Sequence, residues 1–259
     1  MDQSRRTFLR TAGIAVLGIS GGGSYVAARA IAAGQHDGGK TAAGVRYALA
    51  IDTQKCAAQH GCTACITACH AEHNVPAVDV PEREIKWIWK EEAEHALHEY
   101  FDDYTSDELR RREIPVLCNH CDNPPCVRVC PTQATYKRAD GPVMMDMHRC
   151  IGCRYCVVGC PYGARSFNYG DPREFLPNGE PTNARYPTRS KGVVEKCTLC
   201  TERLARGLRP ACVEACPAGA MLFGDLEDPG SEIRAFLQTN FTVRRKAEVG
   251  TRPHVHYKL

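Results

Sequence analysis

Along the chain, apolar and polar positions mark a series of short elements rather than a few long ones. RYALAID (46–52) is apolar throughout its interior and predicts a strand leading into the first cysteine-rich stretch. In EIKWIWKEE, Ile85, Trp87 and Trp89 recur at period two, which predicts a half-buried strand; an aromatic patch for a partner is the alternative. KEEAEHALHEYF and TSDELRRRE look helical, with Thr105 or Ser106 placed to cap the second and its charge run a solvated face. TYKR and VMMD flank Asp140-Gly141, a favoured tight turn, and predict a hairpin. Residues 166–195, rich in Pro, Gly, Asn and Arg, predict a long loop, and SEIRAFLQTN a helix in the tail.

These elements surround the cysteines. The 259 residues contain 16 cysteines, in four groups of four with none left over: Cys56, Cys62, Cys65, Cys69; Cys118, Cys121, Cys126, Cys130; Cys150, Cys153, Cys156, Cys160; and Cys197, Cys200, Cys212, Cys216. A disulfide framework spreads its cysteines between strands and loops, whereas grouping in fours points to ligands.

The third group reads CIGCRYCVVGCP, the C-x2-C-x2-C-x3-C-P run of a bacterial [4Fe–4S] ferredoxin. Three closely spaced thiolates wrap one cluster. The fourth lies about a helical turn further on, points away, and serves the other cluster of a pair. The second group, C-x2-C-x4-C-x3-C-P, and the fourth, C-x2-C-x11-C-x3-C-P, vary this theme. The first is C-x5-C-x2-C-x3-C and has His70 where the others have proline. It resembles a haem-attachment site at its end, but that needs C-x-x-C-H, and Cys65 and Cys69 are one residue too far apart. Its wide first gap leaves both a four-iron and a three-iron cluster open. Structural zinc would use two C-x-x-C pairs and leave the repeated third cysteine and the C-P ending unexplained. The repeat continues past the ligands: CPTQA, CPYGA and CPAGA share C-P-x-x-A, so repeated strand–loop–helix units are expected, with short helices after the third cysteines.

At the N-terminus, SRRTFLR precedes the short, glycine-diluted apolar run TAGIAVLGIS and then the A-x-A triplets at residues 28–32. This is the layout of a cleavable export signal of the twin-arginine type over residues 1–32, a route that carries proteins already folded around their cofactors. The run falls short of the roughly 20 apolar residues of a membrane span. Arg5, Arg6, Arg10 and Arg29 lie in this segment against Asp2, so its removal takes the formal charge from +3 to about zero, which argues against a nucleic-acid partner. The mature protein is expected in the periplasm, soluble or peripheral to the cytoplasmic membrane.

At the cysteine motifs the sequence resembles the four-cluster ferredoxin subunits of membrane and molybdopterin oxidoreductases, over most of residues 45–225. CHAEHNVP, IKWIWKE, PVLCNHCDNPPCVRVCPTQATYKR, HRCIGCRYC and GVVEKCTLCTERLARGLRPACVEACP look most like the DsrO-type periplasmic subunits of DsrMKJOP membrane complexes in sulfur-metabolising prokaryotes. The resemblance implies an α+β fold of two pseudo-symmetric bacterial-type (2×[4Fe–4S]) ferredoxin modules with inserted loops. The outer module comprises residues 45–75 plus 190–225 and the inner one 115–170, with an insertion at 76–114, a connecting loop at 171–189 and a C-terminal extension at 226–259. It also implies the ligand sets. Cys56, Cys62 and Cys65 join Cys216; Cys197, Cys200 and Cys212 join Cys69; Cys118, Cys121 and Cys126 join Cys160; Cys150, Cys153 and Cys156 join Cys130.

With no Gly-rich nucleotide loop and no serine-nucleophile motif, the expected role is a wire carrying four [4Fe–4S] clusters, not an enzyme with its own substrate site. The resemblance implies two partners, an integral membrane subunit that handles quinone and a periplasmic multihaem cytochrome c. The alternative is the electron-transfer subunit of a molybdopterin reductase for polysulfide, tetrathionate, nitrite or a similar oxidant. A structural zinc or disulfide scaffold is the third class. Arg128, Lys137, Arg138, Arg149, Arg154, Arg165 and Lys196 lie near ligands in sequence, where positive charge favours a reduced cluster; surface solubility is the simpler role. His254 and His256 have no grouped partner and are expected at the surface or in packing.

Overall fold

The computed structural model describes residues 44–259, and the expected export signal lies outside them. Nine strands and a series of short helices make up this part of the protein. In sequence order they are β1 (Tyr47–Asp52), α1 (Thr53–Ala57), α2 (Ala64–His73), β2 (Ile88–Glu92), α3 (Ala93–Ala96), α4 (Asp107–Arg110), β3 (Glu113–Leu117), α5 (Pro125–Arg128), β4 (Thr135–Lys137), β5 (Val143–Met145), α6 (Tyr155–Val158), β6 (Ser166–Phe167), β7 (Val194–Glu195), α7 (Thr201–Leu204), α8 (Ala211–Glu214), β8 (Met221–Asp225), α9 (Glu232–Thr239) and β9 (Val255–Lys258). Among these residues no helix is long and apolar enough to cross a membrane.

RYALAID forms β1, and its inner residues are buried because it is the middle strand of a three-stranded sheet, β8-β1-β9. β8 runs antiparallel to it and β9 parallel. α9 packs Ile233 against this sheet, and Ser231 caps the helix through the Arg234 amide. The C-terminal extension is therefore part of the central sheet. It also reaches the second cysteine group: the amides of Asp122 and Asn123 donate to the carbonyls of Arg252 and Thr251, and the His254 amide donates to Asn119 O.

TYKR and VMMD form the predicted antiparallel pair β4–β5, and Gly141 turns between them at φ +104°, open to glycine alone at low cost. In the 76–114 insertion, the strand begins only at Ile88 and pairs with β3. Ile85 and Trp87 precede it and are buried, as is Ile88, while Trp89 is half-buried. The expected one-face alternation therefore gives way to a buried lead-in. KEEAEHALHEYF does not make a continuous helix: α3 ends at Ala96 and a 3₁₀ turn, His98–Tyr100, follows. Ala93, Ala96 and Leu97 are all fully buried, and Arg245 Nε donates to Ala96 O, so packing overrides the local helical preference. Ser106, not Thr105, caps α4. The 166–195 loop is bounded by the antiparallel pair β6–β7 and contains two 3₁₀ turns.

Candidate iron–sulfur sites

The expected short helices do not follow the third cysteine of each group but contain it. Cys65, Cys126, Cys156 and Cys212 are each the second residue of their helix, in α2, α5, α6 and α8. Prolines prepare two of these starts: Pro125 opens α5, and Pro210 precedes α8. The fourth cysteine follows four residues later. The amides of Cys130, Cys160 and Cys216 donate to Val127, Val157 and Val213. Each C-P-x-x segment then makes the same turn: Gln133, Gly163 and Gly219 all adopt positive φ and donate back to Cys130, Cys160 and Cys216. The turn aims a following amide at sulfur, Thr135 N to Cys130 Sγ at 3.4 Å and Ala220 N to Cys216 Sγ at 3.3 Å. In CIGC, Gly152 passes so close to Gly192 that a Cβ would lie 2.5 Å from its carbonyl oxygen.

These local geometries bring the cysteines together across the sequence. Cys56, Cys62 and Cys65 share one cavity with Cys216 from the far end of the sequence, and Cys118, Cys121 and Cys126 share another with Cys160. Four cysteines line each of these two small cavities, so the same type of group suits both. Cys69 is buried, and burial followed by the closeness of Cys197, Cys212 and Cys200 pushes its thiol well up. Burial also pushes up Cys156, which faces Cys126, Cys130 and Cys150. Cys153, in the same loop, is exposed.

None of the sixteen cysteines forms a disulfide. Among the described residues no three or more His, Cys, Asp or Glu side chains converge tightly enough for a single metal ion. In these two cavities the sulfurs ring a space instead of meeting at a point, which is the donor geometry of a cube with a metal at several corners. Amide donors to the Sγ atoms of Cys130, Cys197, Cys200 and Cys216 suit thiolates. At Cys130 burial opposes ionisation, but the Thr135 amide and the Thr132 hydroxyl outweigh it and hold the thiol below its ordinary range. The cysteines present fit [4Fe–4S] groups.

Cysteines of different groups also lie near one another. Cys65 and Cys69 lie one turn apart on α2, and Cys212 faces Cys65 as well as Cys197 and Cys200. After burial, the first influence on Cys197 is Cys118. Cys126 and Cys156 face each other. Neighbouring cysteines therefore run from the Cys56 group through Cys69 and Cys197 to the Cys118 group and on to Cys156.

Of the seven cations near ligands in sequence, five reach the surface. Lys137 pairs with Asp122 at 2.5 Å, Arg138 with Asp140 at 2.9 Å and Arg149 with Asp146 at 3.4 Å. Arg128 donates to Asn123, and Arg154 lies over Phe167 and Tyr169. Only Arg165 and Lys196 are buried. Lys196 Nζ donates to the carbonyls of Val143 and Cys197. His254 is buried, as the packing role expected of it requires.

Sequence reasoning missed the support behind Cys69. His73, one turn along α2, donates Nδ1–H to Cys69 O at 2.9 Å, since a carbonyl can only accept, and lies 3.7 Å from the Cys69 sulfur. Its ring stacks on Trp87 at 4.6 Å and meets Tyr186 edge-on. Burial lowers its pKa, keeping the ring neutral. Behind it, Glu195 and Arg189 form a fully buried ion pair at 2.7 Å. Glu195 also accepts from Trp87 Nε1 and Asn168 Nδ2, while Arg189 donates to His73 O and Asn74 O. Tyr186 and Arg189 sit in a polar stretch that carries no periodicity to mark them.

Comparison with known proteins agrees with this geometry. The family described as "4Fe-4S dicluster domain" matches residues 112–173 and again 167–226. Over 232 residues the sequence is 42% identical to the Hdr-like menaquinol oxidoreductase iron-sulfur subunit 1 of Archaeoglobus fulgidus, covering 82% of each. This protein belongs to the family of iron–sulfur electron-transfer subunits. Two dicluster matches and sixteen cysteines make its cofactors four [4Fe–4S] clusters. It is 36% identical to the B subunit of tetrathionate reductase from Salmonella typhimurium, over 99% of this sequence and 88% of that one. It is also 36% identical to the B component of polysulfide reductase from Wolinella succinogenes, over 80% and 91%. The first of these relatives is named as an iron–sulfur subunit, and this member of the family is an electron-transfer subunit rather than a catalytic one.

Proposed function

We propose that the protein is a periplasmic relay of the DsrO type, passing single electrons along its four quartets between an integral membrane subunit that handles quinone and a multihaem cytochrome c. The observation that carries the relay is the run of neighbouring cysteines: Cys65 beside Cys69, Cys197 beside Cys118, Cys126 beside Cys156. The ligand sets are those in which the cysteines are neighbours, with the fourth cysteine of each group given to the other cluster of its pair. Bound clusters supply one-electron redox chemistry. The polypeptide fixes their spacing, shields the inner sulfurs from water and biases their charge.

Both ends of the run come to the surface, as a relay requires. Cys56 and Cys62 are half-buried at one end. At the other, Cys153 is exposed and Ile151, Tyr155 and Val158 stand 67%, 63% and 87% exposed around it, an apolar collar suited to a protein partner. The paired arginines and A-x-A triplets of residues 1–32 support twin-arginine export, with the mature protein held at the membrane through its partners.

A second reading has its own support. Two relatives are named as components of tetrathionate and polysulfide reductases, which favours service to a molybdopterin oxidoreductase. Purifying the native complex through a tag on this protein separates the two. A co-purifying integral membrane subunit together with a polypeptide that stains for covalent haem supports the relay to a cytochrome. A large molybdenum-containing subunit without haem replaces it with the second reading. Recovery from the cytoplasmic fraction contradicts export.

A further inference from the structure

Arg165 is a cation with almost no access to water, 5% exposed. It borders the cavity ringed by Cys118, Cys121, Cys126 and Cys160. Nη1 donates to Thr135 Oγ1 at 3.2 Å and faces Met145 Sδ at 3.9 Å. Nη2 is buried and has no hydrogen-bond partner among the described residues. The groups around the guanidinium that could carry negative charge are sulfurs: Cys126 first, within reach of a hydrogen bond, then Cys156 and Cys118. A buried charge without a counter-charge is strongly unfavourable. Neutral thiols provide none. The counter-charge this geometry calls for is an anionic cluster held by the thiolates.

A second leftover group borders the same cavity. Asn119 is 1% exposed, and neither atom of its amide has a partner among the described residues. The cavity ringed by Cys56, Cys62, Cys65 and Cys216 contrasts with this. Gln59, Pro115, Pro217, Ala218 and Met221 complete its wall, and none of these is charged. Lys90 and Glu113 act on Cys56 from outside this wall with opposite signs, so the two sites share a ligand type and differ in having a buried cation at the cavity itself.

We propose that Arg165 sets the potential of the Cys118 quartet. Its Nη2 donates a hydrogen bond to the cluster held there, Asn119 adds a weaker one, and this site accepts an electron well before the Cys56 quartet does. The inference rests on the quartet assignment above. The physical reason is that reduction adds one unit of negative charge, which a buried cation and a hydrogen-bond donor stabilise more than they stabilise the oxidised form. The electron comes from the neighbouring site, which is oxidised by one. No proton moves, because a guanidinium stays charged throughout. Arg165 is a positioning and field-setting residue, not a ligand. Since it also faces Cys156, the Cys150 quartet feels the same charge more weakly.

The test is a redox titration of the purified holoprotein followed by low-temperature paramagnetic resonance, with iron and sulfide measured in every sample. In Arg165→Met the reduced-to-oxidised ratio of one centre at fixed potential falls at least tenfold, a midpoint lowered by about 59 mV for a one-electron couple. A second centre shifts less and the other two stay put. Arg165→Lys recovers part of the shift, and Asn119→Ala lowers the same centre by less than Arg165→Met does. Unchanged midpoints in an iron-replete Arg165→Met protein overturn the proposal, as does an equal shift in all four. If Arg165→Met does not load with iron, the unmutated protein labelled with ¹⁵N-arginine decides. A ¹⁵N hyperfine coupling on a centre that is not the last to be reduced supports the assignment, and the absence of any such coupling overturns it. An unmutated protein lacking the iron of four clusters sinks the quartet assignment instead, and is distinguishable for that reason.

Discussion

Glu195 sits at the centre of a dry network in which Arg189, Trp87 and Asn168 all donate to its carboxylate. Removing one member of a buried ion pair leaves the other charge uncompensated, a loss of about 3–5 kcal/mol. Glu195→Gln is therefore expected to lower the apparent unfolding temperature of the holoprotein, measured by loss of visible cluster absorbance at a fixed heating rate. Because Arg189 also holds the His73 and Asn74 carbonyls at the end of the helix bearing Cys65 and Cys69, the damage should reach the clusters. An unchanged melting profile would show that the network is dispensable. At this scale the cysteines were legible because their spacing repeats. Which cations matter was not. Arg165 and Lys196 look like Arg149 or Lys137 in sequence, and only burial separates them.

At the scale of elements, β9 tests how far the tail belongs to the fold. It pairs with β1, accepts from Thr53 Oγ1 at Lys258 O, and ties Lys258 Nζ to Asp52 at 2.9 Å. Burial opposes ionisation of Asp52, but the Lys55 amide and the Lys258 ammonium outweigh it and hold the carboxyl below its usual range. That contribution is full at neutral pH and is lost only as pH falls through the lowered pKa. Deleting residues 253–259 exposes one edge of the central strand and removes the His254 amide from Asn119 O. The expected result is a sharp fall in the yield of iron-replete protein, read from the ratio of visible to protein absorbance. Normal loading would mean the strand is an ornament. RYALAID and the Asp140-Gly141 hairpin were readable as elements because their signals are local. The broken helix at Ala93–Ala96 was not, since buried contacts from distant residues end it.

At the scale of the molecule, the sulfurs and the fold depend on each other. Burial is the main cause that pushes Cys65 up to about 11 and Cys121 and Cys200 to about 12. Without iron these groups are protonated at neutral pH, so iron must displace protons to bind. A ligand whose pKa is raised holds its proton more tightly as pH falls, and cluster loss is expected to quicken in that direction. Decay of visible absorbance under a ferrous chelator at about pH 6 should be faster than at about pH 8. Equal rates would contradict the linkage. Complete removal of iron should leave a largely unfolded polypeptide by circular dichroism, because binding energy at sites assembled from both ends of the sequence is folding energy. A native-like spectrum of the apoprotein would place the fold's stability elsewhere.

Ligand type, cluster number and the repeated C-P turn are properties of short stretches, so the sequence alone determined them: each depends on residues within about twenty positions of one another. The tertiary structure decided what depends on distance across the fold. It set Cys216 beside Cys56 and Cys118 beside Cys197, drew the tail into the central sheet, and chose Arg165 and Lys196 as the buried ones among the cations near ligands. Spacing is written along the backbone. Proximity and dielectric surroundings exist only once the polypeptide has closed on itself.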